Sequence, residues 1–401
     1  MIVNEIFTAP VQRIAAGGAG IAFVQGKTVF IPMTAPGDLI RGRITGEHRT
    51  WAWGEALEIA EPSPNRSVPV CPHYGICGGC SLQHLSYEAQ VNEKVAIIRE
   101  TFRRIGGISA LPEIRIRRSP PLEYRNRIRL HYSVPGRRAP RVLGFKGRRS
   151  GGIVPIRDCP VADPGLRSVL RNYAQGKDAF LGGEGFRPPP GGSLSVYSRG
   201  NTLLREGPES RGKVKIRRRE IAMDAGVFFQ SNGILLETLI GDLMEIAGKA
   251  DASLPAADIY CGVGTFAVFL ADHFSRIDLV EENKTALDLA RKNVSGEGHR
   301  FFALREDQWV REEGCSGKKP VHRSFVVVDP PRQGLSRPMR QWLCERGPPL
   351  LAYVSCDPAT LARDSGELRS GGYGLSSLCF YDFYPQTAHA EVLAILRRGA
   401  E

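Results

Sequence analysis

Three short motifs in the last third of the chain end on side chains capable of covalent and proton-transfer chemistry. They are Asp329 in Val326-Val-Val-Asp-Pro-Pro-Arg-Gln-Gly-Leu, Cys356 in Tyr353-Val-Ser-Cys-Asp-Pro, and Glu391 in His389-Ala-Glu-Val-Leu-Ala-Ile-Leu. Cysteine is strongly nucleophilic near neutral pH because part of it is already thiolate. Glu391 opens an apolar run, where lost hydration raises a carboxyl's pKa toward the range useful for taking up a proton. Asp329 and Cys356 close apolar runs with strand character, which places them where open α/β sheets bind their ligands. Further upstream, Ala257-Asp-Ile-Tyr-Cys-Gly-Val-Gly-Thr-Phe joins a predicted strand to a helix. Gly262 and Gly264 permit a tight backbone turn against a ligand, and Glu281, ending the next strand about twenty residues later, can accept both hydroxyls of a ribose. Ala267 stands where a dinucleotide motif has its third glycine, so this turn alone does not select its nucleoside. Asp307, with Glu306 beside it as the alternative, falls near the end of the third strand and is expected to face an adenine ring.

The chain has nine cysteines in 401 residues. Cys71, Cys77 and Cys80, separated by five residues and then two, have the spacing of a ligand set. The formal charge is +12 and unevenly spread. Arg115, Arg117, Arg118, Arg125, Arg127, Arg129, Arg137, Arg138, Arg141, Lys146, Arg148 and Arg149 crowd one stretch, and a second cluster runs from Arg211 to Arg219. Clusters of this kind bind a polyanion by releasing its counterions, which makes nucleic acid the expected partner. No stretch reaches the roughly 18 apolar residues of a membrane helix, and the start lacks a basic segment followed by an apolar one. The expected location is the cytoplasm, with no membrane partner and a monomeric chain.

The elements that must position these residues fall into three segments. Over 1–61, short apolar runs broken by glycine and proline read as a small β-barrel. The segment 62–222 begins within the turn-rich Ala60-Glu-Pro-Ser-Pro-Asn-Arg and contains the cysteine cluster. It continues with a helix over Tyr87 to Ile105 stopped by Gly106-Gly107, and then short strands from Ile128 to about Glu220, with Arg187-Pro-Pro-Pro-Gly-Gly as an exposed loop. In 223–401 helices alternate with strands at Ala256–Tyr260, Ile277–Val280, Ser324–Asp329 and Leu350–Ser355, the pattern of a parallel sheet covered on both faces. Leu375 to Phe383 and Glu391 to Leu396 follow as a hairpin closing that sheet. The fold class is therefore multidomain α/β.

These motifs together resemble the RNA uracil-5-methyltransferases, over nearly the whole chain. Ala225-Gly-Val-Phe-Phe-Gln-Ser-Asn is similar to the family's Phe-Phe-Gln-x-Asn signature and Ile259-Tyr-Cys-Gly-Val-Gly-Thr-Phe to its cofactor turn. Asp329-Pro-Pro-Arg is similar to its fourth-strand motif, and Ser355-Cys-Asp-Pro-Ala-Thr-Leu-Ala-Arg-Asp to its nucleophile loop. The resemblance implies S-adenosylmethionine as methyl donor, Cys356 as nucleophile and Glu391 as proton acceptor, with Gln230, Tyr260, Glu281 and Asp329 at the cofactor site. It also implies a TRAM domain of the oligonucleotide-binding barrel type at the N-terminus, a central RNA-binding domain and a Rossmann-like class I methyltransferase domain. Tyr124-Arg-Asn-Arg-Ile-Arg resembles the arginine-rich strand by which the central domain meets RNA, with Arg127 a candidate to hold the strand from which a base is flipped. Cys159 is then the fourth ligand beside Cys71, Cys77 and Cys80. Four thiolates suit either zinc or an iron-sulfur cluster, and the resemblance implies [4Fe-4S].

Carbon 5 of uracil is a poor nucleophile, and thiolate addition at carbon 6 makes it electron-rich; this is the chemistry that a cysteine beside a proton acceptor would serve. The acceptor the resemblance favours is 23S ribosomal RNA, with the T-loop uridine of transfer RNA as the alternative. A non-catalytic RNA-binding or folding factor on the same fold is the reading from another class. A DNA cytosine-5-methyltransferase fits less well, because its cysteine follows the fourth strand and here it follows the fifth.

Overall fold

The computed structural model describes residues 3–133, 142–148, 151–177, 179–182, 192–207, 210–315 and 321–399. Arg137, Arg138, Arg141 and Arg149 of the basic stretch and residues 187–191 of the proline-rich loop lie outside these.

Alternation of apolar side chains builds the largest layer. Every residue of Ala256–Ile259, Ile277–Val280, Phe325–Val328 and Leu350–Ser355 is buried, as strands covered on both faces must be. Phe325, Val327, Leu350, Ala352 and Val354 share a core with Leu235, Leu239 and Leu243 of the helix Gly233–Ala247. The intervening Val326, Val328, Leu351 and Tyr353 share the opposite core with Ile98 and Phe102 of the helix Tyr87–Arg104, Trp342 of Arg337–Arg346 and Leu361 of Pro358–Leu368. In space the strands run Arg300–Phe302, Ile277–Val280, Ala256–Ile259, Phe325–Val328, Leu350–Ser355, Glu391–Arg398, Tyr373–Tyr381, Ile114–Arg117. The first five are parallel, and Glu391–Arg398 is antiparallel to both its neighbours.

The expected hairpin forms, over Tyr373–Tyr381 and Glu391–Arg398, but it does not close the sheet. Ile114–Arg117 pairs in parallel outside it, because Ile114 buries into the core that contains Leu378 and Phe380. The helix Tyr87–Arg104, capped by Ser86 accepting from the Ala89 amide at 3.3 Å, packs on the same face. The hairpin Arg211–Ile216 with Arg219–Asp224 also contributes Val214, Ile216, Ile221 and Met223 to the opposite core. The span 62–222 thus serves two layers.

Its remaining strands form a five-stranded antiparallel sheet in the order Ile153–Pro155, Val142–Lys146, Arg127–Ser133, Ser193–Arg199, Thr202–Arg205. A helix that was not anticipated, Pro164–Ala174, covers it with Leu166, Val169 and Leu170. Its start carries a recognisable signal, Asp163 accepting from the Gly165 amide with Pro164 in the first turn. Residues 6–61 contribute a six-stranded sheet around Phe7, Val29, Ile31, Ile40, Ile44 and Ala52.

Part of the basic stretch is used internally. Arg117 forms two hydrogen bonds to Asp242, at 3.0 and 2.9 Å, Arg118 pairs with Glu88, and Arg115 reaches Ser377 at 3.4 Å. In the second cluster Arg211 pairs with Asp224, Lys213 with Glu220 and Arg219 with Asp272. Among the described residues no helix is long and apolar enough to cross a membrane.

One buried ion pair ties the helix Tyr87–Arg104 to the chain leading into the last strand. Lys94 Nζ donates to Asp382 Oδ1 at 2.7 Å and to the Tyr384 carbonyl at 3.0 Å, with both charged side chains out of solvent. Burial pulls the Lys94 ammonium down, and Asp382 opposes that shift. Lys94→Ala leaves a buried carboxylate without its counter-charge, for which the expected loss is about 3–5 kcal/mol of unfolding free energy. Urea unfolding checks this; an unchanged midpoint and slope would contradict it.

Candidate active site

The turn after Ala256–Ile259 is held in left-handed backbone. Tyr260, Gly262 and Gly264 have φ of 65°, 55° and 79°. A Cβ on Gly264 would stand 3.1 Å from Val294 and 3.2 Å from Ala290, so only glycine lets the turn lie against the helix Lys284–Asn293. Tyr260 has a Cβ and accepts the cost of that conformation, of the kind that collects at ligand sites. Glu281 fastens the turn from the next strand: one carboxylate oxygen accepts from the Gly262 amide at 3.1 Å and the other from the Asn283 amide at 2.8 Å. Burial raises the Glu281 pKa.

Asp258 was missed in the sequence. It lies fully buried under the turn, accepting from the Ala267 amide at 3.0 Å, and burial pushes its carboxyl well up. A lone acid inside the apolar Ala256–Ile259 was the available signal. Asp307 borders the site, but its carboxylate accepts from Arg305 at 3.0 Å and Arg311 at 2.8 Å, and the Arg305 bond holds its pKa below the usual value. Glu306 instead adjoins the buried hydroxyl of Tyr260.

Cys356 sits between Leu350–Ser355 and Pro358–Leu368 in a turn locked on both sides. Asp357 accepts from the Ala359 and Thr360 amides at 2.9 and 3.0 Å, and Ser355 Oγ donates to the Asp357 carbonyl at 3.0 Å. Asp329 ends the neighbouring strand, and Gln230 Nε2 donates to its Oδ2 at 3.5 Å. Glu391 begins the strand on the other side of Leu350–Ser355 and is buried. Cys356, Glu391, Asp329, Gln230, Tyr260, Glu281 and Asp307 all line one cavity of about 1400 Å³. Burial pushes the Cys356 thiol up to about 11; the charges of Glu391 and Asp329 add to the shift and Arg332 opposes it. Burial also raises both carboxyls, with Asp329 adding to the shift of Glu391 and Gln230 opposing that of Asp329. Arg332 in turn meets the His389 ring at 3.3 Å.

Cys71, Cys77, Cys80 and Cys159 line a second cavity, of about 370 Å³. Burial raises the Cys77 thiol, pushes Cys80 up to about 11 and Cys159 up to about 12. The Gly79 amide donates to Cys77 Sγ at 3.4 Å. Among the described residues no group of three His, Cys, Asp or Glu side chains has the arrangement to hold a metal ion as it stands. Gly78, Gly79 and Arg125 line both cavities, so the loop between Cys77 and Cys80 is a common wall. Arg127 lines the larger one, with its Nε buried and without a partner.

The chain matches the family model described as tRNA (Uracil-5-)-methyltransferase over residues 205–300 and 308–399. It is 31% identical over 428 residues to an uncharacterized RNA methyltransferase of Treponema denticola, covering 97% of this chain and 98% of that one. It is 28% identical over 448 residues to a 23S rRNA (uracil(1939)-C(5))-methyltransferase of Alkalilimnicola ehrlichii, covering 99% and 98%. Its fold matches the crystal structure of the Pyrococcus abyssi tRNA (uracil-54, C5)-methyltransferase in complex with S-adenosyl-L-homocysteine, with a TM-score of 0.70, 22% identity and coverage of 97% and 100%. The chain belongs to the RNA (uracil-5-)-methyltransferase family, whose reaction moves a methyl group from S-adenosylmethionine to carbon 5 of a uridine.

The electrostatics of the site give a signed expectation. Glu391→Gln removes the largest of the neighbouring charges that raise the Cys356 pKa, so the apparent pKa for alkylation of Cys356 by iodoacetamide should fall. Peptide mass spectrometry across a pH series reads this directly; an unchanged or higher apparent pKa would contradict the geometry.

Proposed function

We propose that this chain methylates carbon 5 of one uridine in 23S ribosomal RNA, with Cys356 as covalent nucleophile and Glu391 as proton acceptor. The observation that carries it is the convergence of Cys356, Glu391 and Asp329 on the cavity bordered by the Gly262 turn and Glu281. S-adenosylmethionine, when bound, supplies an electrophilic methyl group on a sulfonium. Glu281 takes the ribose hydroxyls, and Gln230, Tyr260 and Asp329 complete that site, with Glu306 or Asp307 toward the adenine. The Cys356 thiolate bonds to carbon 6 of the uracil, and the displaced π pair makes carbon 5 nucleophilic. Carbon 5 takes the methyl group as its bond to the sulfonium breaks, the pair staying on sulfur as a neutral thioether; Glu391 receives the proton that carbon 5 loses, and the released pair re-forms the double bond and expels the thiolate. Asp329, pushed up to about 7, sits where it meets the polar edge of the base. Arg125 and Arg127 on the cavity wall hold the RNA from which the base is turned out.

The large sheet is read as a Rossmann-like class I methyltransferase domain. Support comes from its cavity at the point where strand order reverses, between Ala256–Ile259 and Phe325–Val328. The N-terminal sheet is read as the TRAM barrel. The four cysteines are read as holding a [4Fe-4S] cluster: an all-sulfur donor set around one shared cavity suits a cluster body, and the Gly79 amide is already aimed at a sulfur. The 23S acceptor follows the curated relatives, of which several named as 23S rRNA (uracil(1939)-C(5))-methyltransferases align over nearly all of this chain. We place the enzyme in the cytoplasm as a monomer.

Nucleoside mass spectrometry on unmodified 23S and transfer RNA, incubated with the protein and isotope-labelled S-adenosylmethionine, tests this. Labelled 5-methyluridine is expected in 23S RNA and absent with Cys356→Ala. Label confined to transfer RNA would overturn the acceptor, and undiminished label with Cys356→Ala would overturn the nucleophile.

A further inference from the structure

The segment between Asp382 and Glu391 has no regular hydrogen-bonding pattern of its own and takes its shape from what holds it. Lys94 holds Asp382, Asn232 Nδ2 donates to the Phe383 carbonyl at 3.1 Å, and the Tyr124 hydroxyl donates to the Pro385 carbonyl at 2.8 Å. Gln386 adopts a left-handed φ of 68°, fixed by a reciprocal pair with Gln90: its amide donates to Gln90 Oε1 at 2.8 Å and its own Oε1 accepts from Gln90 Nε2 at 3.0 Å.

The remaining anchors come from the residues directly after Cys80. The Ser81 and Leu82 amides both donate to the Gln386 carbonyl, at 3.0 and 2.9 Å. The Ala388 amide donates to Ser81 Oγ at 3.0 Å. Ser81 is itself held, its carbonyl accepting from the Tyr74 hydroxyl at 3.0 Å. Three hydrogen bonds, two from backbone amides and one to the Ser81 hydroxyl, therefore join the residues that follow one cysteine of the second cavity to the backbone that leads into Glu391.

We infer that Ser81 is a positioning residue for Glu391, so that the group held by Cys80 sets where the proton acceptor stands. The inference rests on the proposed roles of Cys80 as ligand and Glu391 as proton acceptor. A proton acceptor must lie within hydrogen-bond reach of the proton it takes, so loosening the Ala388 amide slows removal of the carbon 5 proton and leaves the earlier addition of Cys356 untouched. Methyl transfer needs no electron from a cluster, and under this inference the cysteine-bound group acts as a mechanical anchor.

The test compares the full-length protein, purified anaerobically, with Ser81→Ala. The unaltered protein should contain iron and sulfide, and Ser81→Ala should retain both. Its kcat should fall about tenfold with no rise in KM for RNA or for S-adenosylmethionine, the effect of one lost hydrogen bond expressed in the transition state of a step that follows adduct formation. On ordinary uridine RNA, the protein–RNA adduct visible on a denaturing gel should accumulate, because it waits for proton removal. Ser81→Thr, which keeps the oxygen, should recover most of kcat. Amide exchange at Ala388 should quicken both in Ser81→Ala and in unaltered protein stripped of its metal. Full metal content with unchanged kcat in Ser81→Ala would overturn the inference, and so would loss of metal and RNA binding together, which marks a scaffold residue. Absence of iron and sulfide from the unaltered protein would instead overturn the cluster reading.

Discussion

Two carboxyl groups, half-buried Asp329 and buried Glu391, stand on either side of a thiol at the ends of three neighbouring strands, and much of the surrounding structure bears on that arrangement. Burying acids together is unfavourable unless they stay neutral or find partners, which is why both are raised and why Cys356 is raised with them. Only a sheet closed by packing on both faces holds such groups in register. The compensations nearby are few: one amide from Gln230 on Asp329, and the charge of Arg332 beside Cys356.

The long-range links follow from the same need for fixed geometry. The helix Tyr87–Arg104 reaches across with Gln90 and Lys94, the strand region around Tyr124 adds one hydroxyl, and Asn232 adds a side-chain amide. Asn232 also accepts from the Leu235 amide at 3.1 Å and so starts the helix Gly233–Ala247. One short segment ahead of Glu391 thereby joins the cysteine cavity, the central sheet and the large sheet.

Much of this was legible in the sequence where the information is local. Continuous apolar runs ending in Asp329 and Cys356 marked buried strands, and the two glycines marked a turn whose φ values are indeed left-handed. What was not legible depends on partners distant in the chain. Nothing in Ile114-Arg-Ile-Arg announces that it pairs with Tyr373–Tyr381, and the arginines beside it look like an RNA patch until Asp242 and Glu88 meet them. Ser81 and Gln386 carry no motif at all, since each acts through its backbone and one isolated polar side chain. The helix Pro164–Ala174 was hidden by the glycine in its first turn, although Asp163-Pro164 signalled its start.

The central claim is that Cys356 bonds to the uracil, and an RNA bearing 5-fluorouridine tests it most directly. With fluorine at carbon 5 there is no proton for Glu391 to receive, so the methylated adduct cannot break down. Nuclease and protease digestion of the complex, followed by mass spectrometry, should yield the peptide containing Cys356 carrying a methylated fluorinated nucleotide. A nucleotide attached to another cysteine, or none attached although ordinary uridine RNA is methylated under the same conditions, would contradict the account.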